Sequence, residues 1–332
     1  MIFHLKSQIT LQKHPIHNLI KKLCFSNPDR ISAEVSRACT HETYVETLGN
    51  AADTLHAGLQ GWTSQAIEEE YISLTVREIR KLHLGLCDVF IDITEEDFYG
   101  KVKGLWMHPW TGERGVKAHF KFIVCSVKYR NRKYPLAVRM IRIGTDNAKE
   151  IGYLLESCKR AGLLIRTVIL DRGFYSADVL RELIEQDVFY LVFARRTSLL
   201  KNMLDGAIHS VNVEHEMVLN KYKTKTKIPT TIAIVKNVKG HDWLFSTNLD
   251  LSGRKIVQRY LMRWNIETDF RVQDEARIKS KSTRPEVRLF YFLISCLLLF
   301  VWNATQKFAM PFKKFVILVA EKFCMWNQRL AC

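Results

Sequence analysis

The sequence predicts an α/β protein, a mixed sheet flanked by helices that follows a helical N-terminal region. Residues 1–85 carry apolar side chains at helical intervals and few runs of β-branched residues. From Cys87 onwards, short apolar runs typical of buried strands alternate with amphipathic helical segments. A later stretch, 195–243, loses this alternation and is rich in β-branched residues, which predicts a β-rich insertion.

Four segments of the N-terminal region have helical spacing: 16–23, 31–38, 44–59 and 64–86. The last of them follows Thr63 and Ser64, which are suitable helix caps. Short helices joined by polar turns fit a DNA-binding module of the helix-turn-helix type. They fit a helical cap on the next domain equally well, and the sequence leaves both interpretations open.

The first predicted strand, 89–93, is an apolar run with a single carboxylate, Asp92, near its end. A buried carboxylate is costly unless it is paired or holds a metal ion. Two β-branched runs, 119–127 and 134–143, then flank a basic turn. They predict an antiparallel hairpin that places the first three strands side by side.

A second aspartate stands at the end of another buried run. A helix is predicted over 146–161 and a strand over 163–170, which leads into Asp171 and the turn residue Gly173. Ligands of open α/β sheets gather at the carboxyl ends of strands, so both aspartates are candidate ligand-binding residues. A further helix and strand are predicted over 177–186 and 188–194.

The predicted insertion contains alternating lysines: Lys221, Lys223, Lys225 and Lys227. On one face of a strand they are suited to contact phosphates, and we predict DNA contacts for Lys223 and Lys225. A solvated edge strand protected by lysines explains the pattern equally well.

Beyond the insertion, a segment without Gly or Pro, 258–271, predicts a helix. At about 100° per residue, roughly one quarter of its circumference carries five notable side chains: Tyr260, Arg263, Glu267, Arg271 and Asp274. One carboxylate is therefore framed by basic and aromatic groups. An ordinary amphipathic helix with solvated charges would show a similar face.

Asp92, Asp171 and Glu267 are far enough apart, at 171 − 92 = 79 and 267 − 171 = 96 residues, to arrive from three different elements. Two divalent ions about 3.5–4 Å apart, held by such carboxylates, activate a water or a 3′-hydroxyl and stabilise the leaving oxygen of a phosphodiester. Three acids among 34 are weak evidence alone. The residues around them are more specific.

These surroundings resemble the DDE transposases of prokaryotic insertion sequences, in the group with a Tyr-x2-Arg-x3-Glu-x6-Lys signature (the transposase 11 type of DDE domain). Tyr260, Arg263 and Glu267 match that signature at the required spacing. Residues 91–94 (IDIT), followed by DFYG, are similar to the strand of the first aspartate, and 170–176 (LDRGFYS) to the second-aspartate motif. The resemblance covers about residues 85–305.

The resemblance implies a ribonuclease-H-like fold, with Asp92 on the first strand, Asp171 on the fourth and Glu267 on a helix after the β-rich insertion. The three acids would be catalytic and would hold two divalent metal ions, Mg²⁺ or alternatively Mn²⁺. Double-stranded DNA, as transposon ends and target, would be the partner of a homodimer in the synaptic complex. Tyr260 and Arg263 would contact phosphates near the transposon end.

One position departs from the signature, because Asp274 stands where the group has lysine. A carboxylate repels phosphate, so this residue puts either the end contact or the activity in doubt. We hypothesise that Arg271, Lys279 or Lys281 supplies the missing cation, and we predict DNA contacts for all three.

The predicted function is therefore a transposase that binds terminal inverted repeats, hydrolyses the 3′ phosphodiester and joins the freed hydroxyl to target DNA. One alternative is a ribonuclease-H-like nuclease or resolvase that cuts without joining. The other, suggested by Asp274, is a catalytically decayed protein that still binds DNA and represses its parent element.

The formal charge of +16 favours polyanionic partners, either nucleic acid or an anionic membrane. Basic residues occur in every segment, which disfavours a membrane-surface helix. The longest apolar stretch, Leu289 to Trp302, is shorter than the roughly 18–20 residues of a spanning helix and predicts a core helix. The N-terminus shows no signal-peptide pattern, so we expect a cytoplasmic, nucleoid-associated protein with reduced cysteines.

The predicted division of the chain is a helical, DNA-binding region (1–85), the first part of the catalytic core (86–194), the β-rich insertion (195–243), the second part of the core (244–305) and a C-terminal helical tail (306–332). An apolar segment of the tail, 308–326, suits a dimerisation helix or a core helix.

Overall fold

The computed structural model describes residues 13–23, 27–41, 44–47, 51–112, 115–130, 132–221, 224–263, 272–305 and 310–331. Within these ranges the chain folds as a mixed α/β structure, a nine-stranded sheet flanked by helices, which confirms the predicted fold class.

The α-helices are α1 (Pro15–Lys22), α2 (Pro28–Ala38), α3 (Ala51–Gly58), α4 (Ser64–Lys81), α5 (Asn147–Arg160), α6 (Ala177–Glu185), α7 (Ser198–Gly206), α8 (Gly253–Leu261), α9 (Pro285–Thr305) and α10 (Phe312–Ala331). One-turn 3₁₀ helices are Val45–Thr47, Leu59–Gly61 and Arg172–Phe174. Of the two candidate caps of α4, Thr63 is the N-cap, since its side chain accepts from the backbone N–H of Ala66, and Ser64 is the first residue of the helix.

The strands are β1 (Leu86–Phe98), β2 (His108–Pro109), β3 (Ala118–Tyr129), β4 (Arg132–Ile141), β5 (Leu164–Leu170), β6 (Tyr190–Phe193), β7 (Val211–Lys221), β8 (Thr224–Val238) and β9 (His241–Thr247). Their order is β2-β3-β1-β5-β6-β9-β8-β7, with β4 also paired to β3. The predicted hairpin is β3–β4, and β1 pairs antiparallel with β3 and parallel with β5. Apart from the two-residue β2, Asp171 therefore follows the fourth strand, as expected.

The strands of the predicted insertion extend the main sheet. β9 pairs with β6, β8 pairs with β9, and β7 forms the far edge, all antiparallel. The β-branched run of β8 has a structural reason, because Ile232 and its neighbours pair with β9 and are fully buried.

The outer edge of β4 is closed by side chains of α4. Glu68 accepts a hydrogen bond from the backbone N–H of Met140 at 2.6 Å, and the Tyr71 hydroxyl donates to the carbonyl of Pro135 at 2.7 Å. These contacts use backbone groups that would otherwise be available to pair with another strand. The helix thus ends the sheet on this side.

Helices cover both faces of the sheet. On one face, Cys125 of β3 contacts Cys158 of α5, with their sulfur atoms 3.6 Å apart. On the other face, Phe122 of β3 stacks on Phe292 of α9, with ring centroids 4.1 Å apart. That second face also carries α8, which packs on Phe90 of β1 in a smaller apolar cluster.

α9 is the buried core helix that the sequence predicts, but it is longer than expected. At 21 residues it is long and apolar enough to cross a membrane, yet 89% of its most apolar window is buried inside the protein. The additional length comes from polar residues at its start, such as Glu286 and Arg288, which an apolar count leaves out.

The predicted helix over 258–271 is confirmed for residues 258–261 and is wrong for residues 262 and 263. α8 begins earlier, at Gly253, and ends at Leu261. The backbone N–H of Arg263 then donates to the carbonyl of Tyr260 at 2.8 Å, a tight turn that ends the α-helical ladder. Residues 264–271 lie outside the described part of the chain.

Candidate functional site

Asp92 and Asp171 lie side by side near the centre of the sheet. Ile91 of β1 pairs with Leu170 of the parallel strand β5, so the next residue along each strand is an aspartate at the same level. The residue two positions before each aspartate packs beneath α8, and the alternation of side chains puts both carboxylates on that face. The fold thus brings together two of the three predicted acids.

The Asp92 side chain is only 13% exposed. Its Oδ1 accepts from the backbone N–H of Ile93 at 2.9 Å, and its Oδ2 accepts from Nη1 of Arg263 at 2.7 Å. Burial raises the pKa of Asp92 to about 6, opposed by the Arg263 charge and reinforced by the Asp171 carboxylate. A nearby cation therefore strongly favours the ionised carboxylate at this position.

The guanidinium of Arg263 spans the two aspartates. Besides its bond to Asp92, its Nη2 lies 3.7 Å from Oδ1 of Asp171, and the arginine side chain is 7% exposed. The Tyr260 hydroxyl donates to the same Asp171 oxygen at 3.1 Å. Burial raises the pKa of Tyr260, so its hydroxyl stays a donor at neutral pH.

α8 holds these two side chains in place. The ring of Tyr260 packs against Phe193 of β6 and Phe245 of β9, with centroid distances of 5.3 and 5.0 Å. The residue directly before Tyr260, Arg259, donates to the Thr167 hydroxyl of β5 at 2.7 Å. The end of α8 is therefore fixed to the strands that carry and flank the aspartates.

Tyr260 and Arg263 are assigned by the sequence to DNA phosphates, and that role stays a prediction. The structure shows both side chains buried against the aspartates. Sequence reasoning missed these contacts. The available signal was the three-residue spacing of an aromatic hydroxyl and a guanidinium after two strand-end aspartates.

Glu267 and Arg271 belong to 264–271, outside the described residues, and their predicted roles stay predictions. Asp274 is described, and its side chain is 60% exposed. Arg277, one turn further on, lies 3.8 Å from it. The negative charge that departs from the signature therefore has a local basic partner, which the sequence comparison did not consider.

The structure places Asp92 in the middle of β1, which is longer than the predicted strand, and Asp171 directly after β5. The two carboxylates fit a divalent cation. They supply the oxygen ligands that Mg²⁺ prefers, and they are close enough for one guanidinium to reach both. Within the described ranges, no group of three His, Cys, Asp or Glu side chains gathers at one point. The predicted third carboxylate, Glu267, lies outside the described residues.

The predicted DNA-binding lysines lie in two different places. Lys279 and Lys281 line a cleft beside the end of β1. Lys225 is exposed on β8, eight residues before Ala233, which the strand register places level with Asp171. At about 3.3 Å per residue it lies roughly 26 Å from that level. Lys223 falls outside the described residues.

A second cleft, of about 450 Å³, adjoins Asp171 and contains three arginines that the sequence motifs did not predict as site residues: Arg172, Arg195 and Arg196. Arg195 donates to the carbonyls of Arg172 and Gly173, and Arg196 to that of Asp242. Two consecutive arginines directly after a buried strand were the signal for this cluster.

Known proteins provide an independent comparison. The profile of the family described as "Transposase DDE domain" matches residues 104–302, more than half of the chain, in a segment that includes Asp171 and begins after Asp92. No curated protein sequence matches the chain significantly.

A solved structure shows a similar fold. A cryo-EM structure of a piggyBac transposase synaptic complex with hairpin DNA superposes with a TM-score of 0.60 at 11% identity, covering 96% of this chain and 78% of that chain. A Drosophila P element transposase strand transfer complex gives a TM-score of 0.24 at 9% identity, covering 90% and 80%.

Proposed function

Because the chain belongs to the transposase DDE domain family, we propose that it is the transposase of an insertion sequence. In this proposal it binds the terminal inverted repeats of its element, cleaves the 3′ phosphodiester and joins the freed hydroxyl to target DNA. Two protomers would act together, one on each transposon end.

The observation that carries the proposal is the pair Asp92 and Asp171, level with each other on neighbouring parallel strands and held by Arg263. With Glu267 they would hold Mg²⁺ or Mn²⁺. When bound, such ions lower the pKa of a water or hydroxyl nucleophile and stabilise the leaving oxygen.

The other residues position the acids. The backbone N–H of Ile93 fixes one oxygen of Asp92, and the Tyr260 hydroxyl fixes one oxygen of Asp171. The three arginines of the neighbouring cleft present planar donors suited to a DNA phosphate next to Asp171. The strand that reacts would therefore be held across the ends of β5 and β6.

The direct test is cleavage and joining of labelled transposon ends with Mg²⁺ or Mn²⁺. We expect Asp171→Ala to lower the cleavage rate at least about a thousandfold, because the metal ions that would stabilise the transition state lose one of their carboxylate ligands. Asp205→Ala, an exposed residue near the end of α7, is the control and should behave as the unchanged protein. Undiminished activity of Asp171→Ala would remove the assignment.

The same assay separates the alternatives. A nuclease or resolvase gives cut products without joined molecules. A decayed, repressing protein binds the ends and gives neither product. Asp274 is the residue that favours decay, but its contact with Arg277 reduces the repulsion that it offers to phosphate.

A further inference from the structure

A basic cleft lies beside the end of β1, on the side of Asp92 away from the arginine cluster. One wall is the loop 99–103 that follows β1, and the other is the segment 277–283. The volume between them is about 690 Å³. We call it the lysine cleft, after Lys101, Lys103, Lys279 and Lys281, which line it.

The four lysines carry the charge of this cleft. All four are exposed, and none forms an ion pair with a carboxylate in the described part of the chain. The arginines of the cleft differ, because Arg277 and Arg288 lie 3.5 and 3.6 Å from the buried carboxylate of Glu96. The two arginines are thus paired with the floor carboxylate, and the second carboxylate of the lining, Asp97, lies 3.2 Å from His119, whereas the four lysines are left exposed.

Aromatic side chains stand among these charges. Tyr99 is 55% exposed at the cleft, and Lys281 places its ammonium 5.2 Å from the ring centroid of Tyr44. Basic side chains interleaved with accessible aromatic rings are typical of sites that bind nucleic-acid strands, where phosphates meet the cations and bases stack on the rings.

The second wall is fixed by the N-terminal region. The backbone N–H of Val45 donates to the carbonyl of Lys279 at 2.8 Å. Glu46 accepts from both the Ser280 hydroxyl and the backbone N–H of Lys281, at 2.5 and 2.8 Å. These bonds fix the backbone from which the Lys279 and Lys281 side chains extend, so that less of the wall has to be ordered when a ligand binds.

The cleft is connected to the aspartates through β1. Glu96, at the floor of the cleft, is four residues after Asp92, or about 13 Å along the strand. A volume of 690 Å³ lies in the range of pockets for small ligands, roughly 300–1,000 Å³, so the cleft can take up a few nucleotides of one strand but cannot enclose a duplex. The partner that fits is a single strand.

We propose that the lysine cleft binds an unpaired DNA strand, with its phosphates on Lys101, Lys103, Lys279 and Lys281 and a base against Tyr99. The assignment rests on the proposed function, in which DNA is cut at Asp92 and Asp171. It adds a path for a strand that has separated from its complement next to the cut.

The test is fluorescence anisotropy of a labelled single-stranded oligonucleotide and of the matching duplex, measured across a salt series with the full chain. The double variant Lys101→Gln/Lys103→Gln should lower the single-strand salt slope by about 1.4, since each lost phosphate contact removes about 0.7. The matched control, Lys149→Gln/Lys201→Gln, changes exposed lysines on α5 and α7 and should leave the slope as it was.

Tyr99→Ala should weaken single-strand binding about fivefold or more without altering the slope, because it removes stacking but no charge. Tyr99→Phe should restore the affinity. An unchanged slope in the lysine variant overturns the proposal, and so does an equal loss for duplex and single strand, which would show a general positive field.

Cleavage by the unchanged protein is measured in parallel. If it cuts and joins DNA while the lysine variant binds single strands normally, only the cleft assignment fails. If the lysine variant loses single-strand binding but the unchanged protein never cuts, the proposed function fails and the cleft assignment stands.

Discussion

Arg263 shows how one side chain serves two acids. Its guanidinium neutralises Asp92 and Asp171 together, at 2.7 and 3.7 Å, in a nearly buried position. A planar guanidinium binds carboxylates and phosphates with the same fork of donors. The aspartates and a DNA phosphate would therefore compete for the guanidinium of Arg263. A metal cation bound by the aspartates would replace the guanidinium there and leave Arg263 available to the phosphate.

Removing that guanidinium should strengthen metal binding. We expect Arg263→Gln to raise the affinity of the DNA-free protein for Mn²⁺ by roughly tenfold, because Mn²⁺ no longer has to displace the guanidinium from the aspartates. A tenfold change in affinity corresponds to about 1.4 kcal/mol. Mn²⁺ titration followed by electron paramagnetic resonance measures this without catalysis. Arg259→Gln, which removes the bond to Thr167 and leaves the aspartates paired, is the control. Unchanged or weaker binding by Arg263→Gln contradicts the competition.

Asp274 allows a second test at this scale. If neighbouring cations compensate for it, Asp274→Lys should change strand transfer by less than about twofold, because Arg277 is already next to this position. Joining of transposon ends by the purified variant measures the effect. A large gain would instead show that the site is defective as it stands.

At the scale of single elements, helix α4 covers the outer edge of strand β4. It closes the edge of β4 through Glu68, which accepts a hydrogen bond from the backbone N–H of Met140. The second carboxylate oxygen of Glu68 accepts a hydrogen bond from Nη1 of Arg139 at 2.7 Å. Burial raises the pKa of Glu68 to about 8, against the opposing charge of Arg139. The folded protein therefore holds this proton more tightly than the unfolded chain does.

A pH dependence of stability follows from that carboxyl. A pKa raised in the folded state contributes stability that is present below the unfolded value and is lost as pH rises through about 8. The unchanged protein should lose on the order of 2 kcal/mol between pH 6 and pH 9. Glu68→Gln keeps an acceptor for Met140 and should show a flatter profile in urea unfolding. Glu70→Gln, on the same helix, should keep the original profile, and equal profiles for both variants would be evidence against the assignment.

At the scale of the molecule, α9 joins the sheet to the N-terminal helices. Its Phe292 stacks on Phe122 of β3, and its Tyr291 reaches His56 of α3 at 3.1 Å. Most of this helix is buried, so it forms the centre of the larger core. The stability of the whole chain should therefore respond to a change in α9.

Phe292→Ala is expected to lower the free energy of unfolding by about 3–5 kcal/mol, the range for an aromatic side chain deleted from a core. Phe292→Leu keeps most of the volume and should cost clearly less. Urea unfolding followed by circular dichroism compares the two. If Phe292→Ala lowers the free energy of unfolding by less than about 1 kcal/mol, the stacking of Phe292 on Phe122 contributes little to stability.

The sequence predicts most strands of this fold, because buried strands appear in the sequence as short runs of apolar residues. It also predicts Asp92 and Asp171 as candidate ligand-binding residues, because each stands at or near the end of such a run, whereas their adjacency comes from the strand pairing of the structure. It does not predict the end of α8, since the segment after Leu261 contains no Gly or Pro and the turn depends on contacts with distant aspartates. The closure of β4 by α4 escapes prediction for the same reason, as it joins residues about 70 positions apart.

The span of these contacts also fixes when the site is completed during synthesis. Arg263 meets Asp92 across 171 positions, and Glu46 holds Lys281 across 235. Strands β1 and β5 leave the ribosome long before their basic partners do. A nascent chain that has not yet reached Arg263 therefore lacks the group that joins its two aspartates, so this centre is assembled only after strands β1 to β9 have been synthesised.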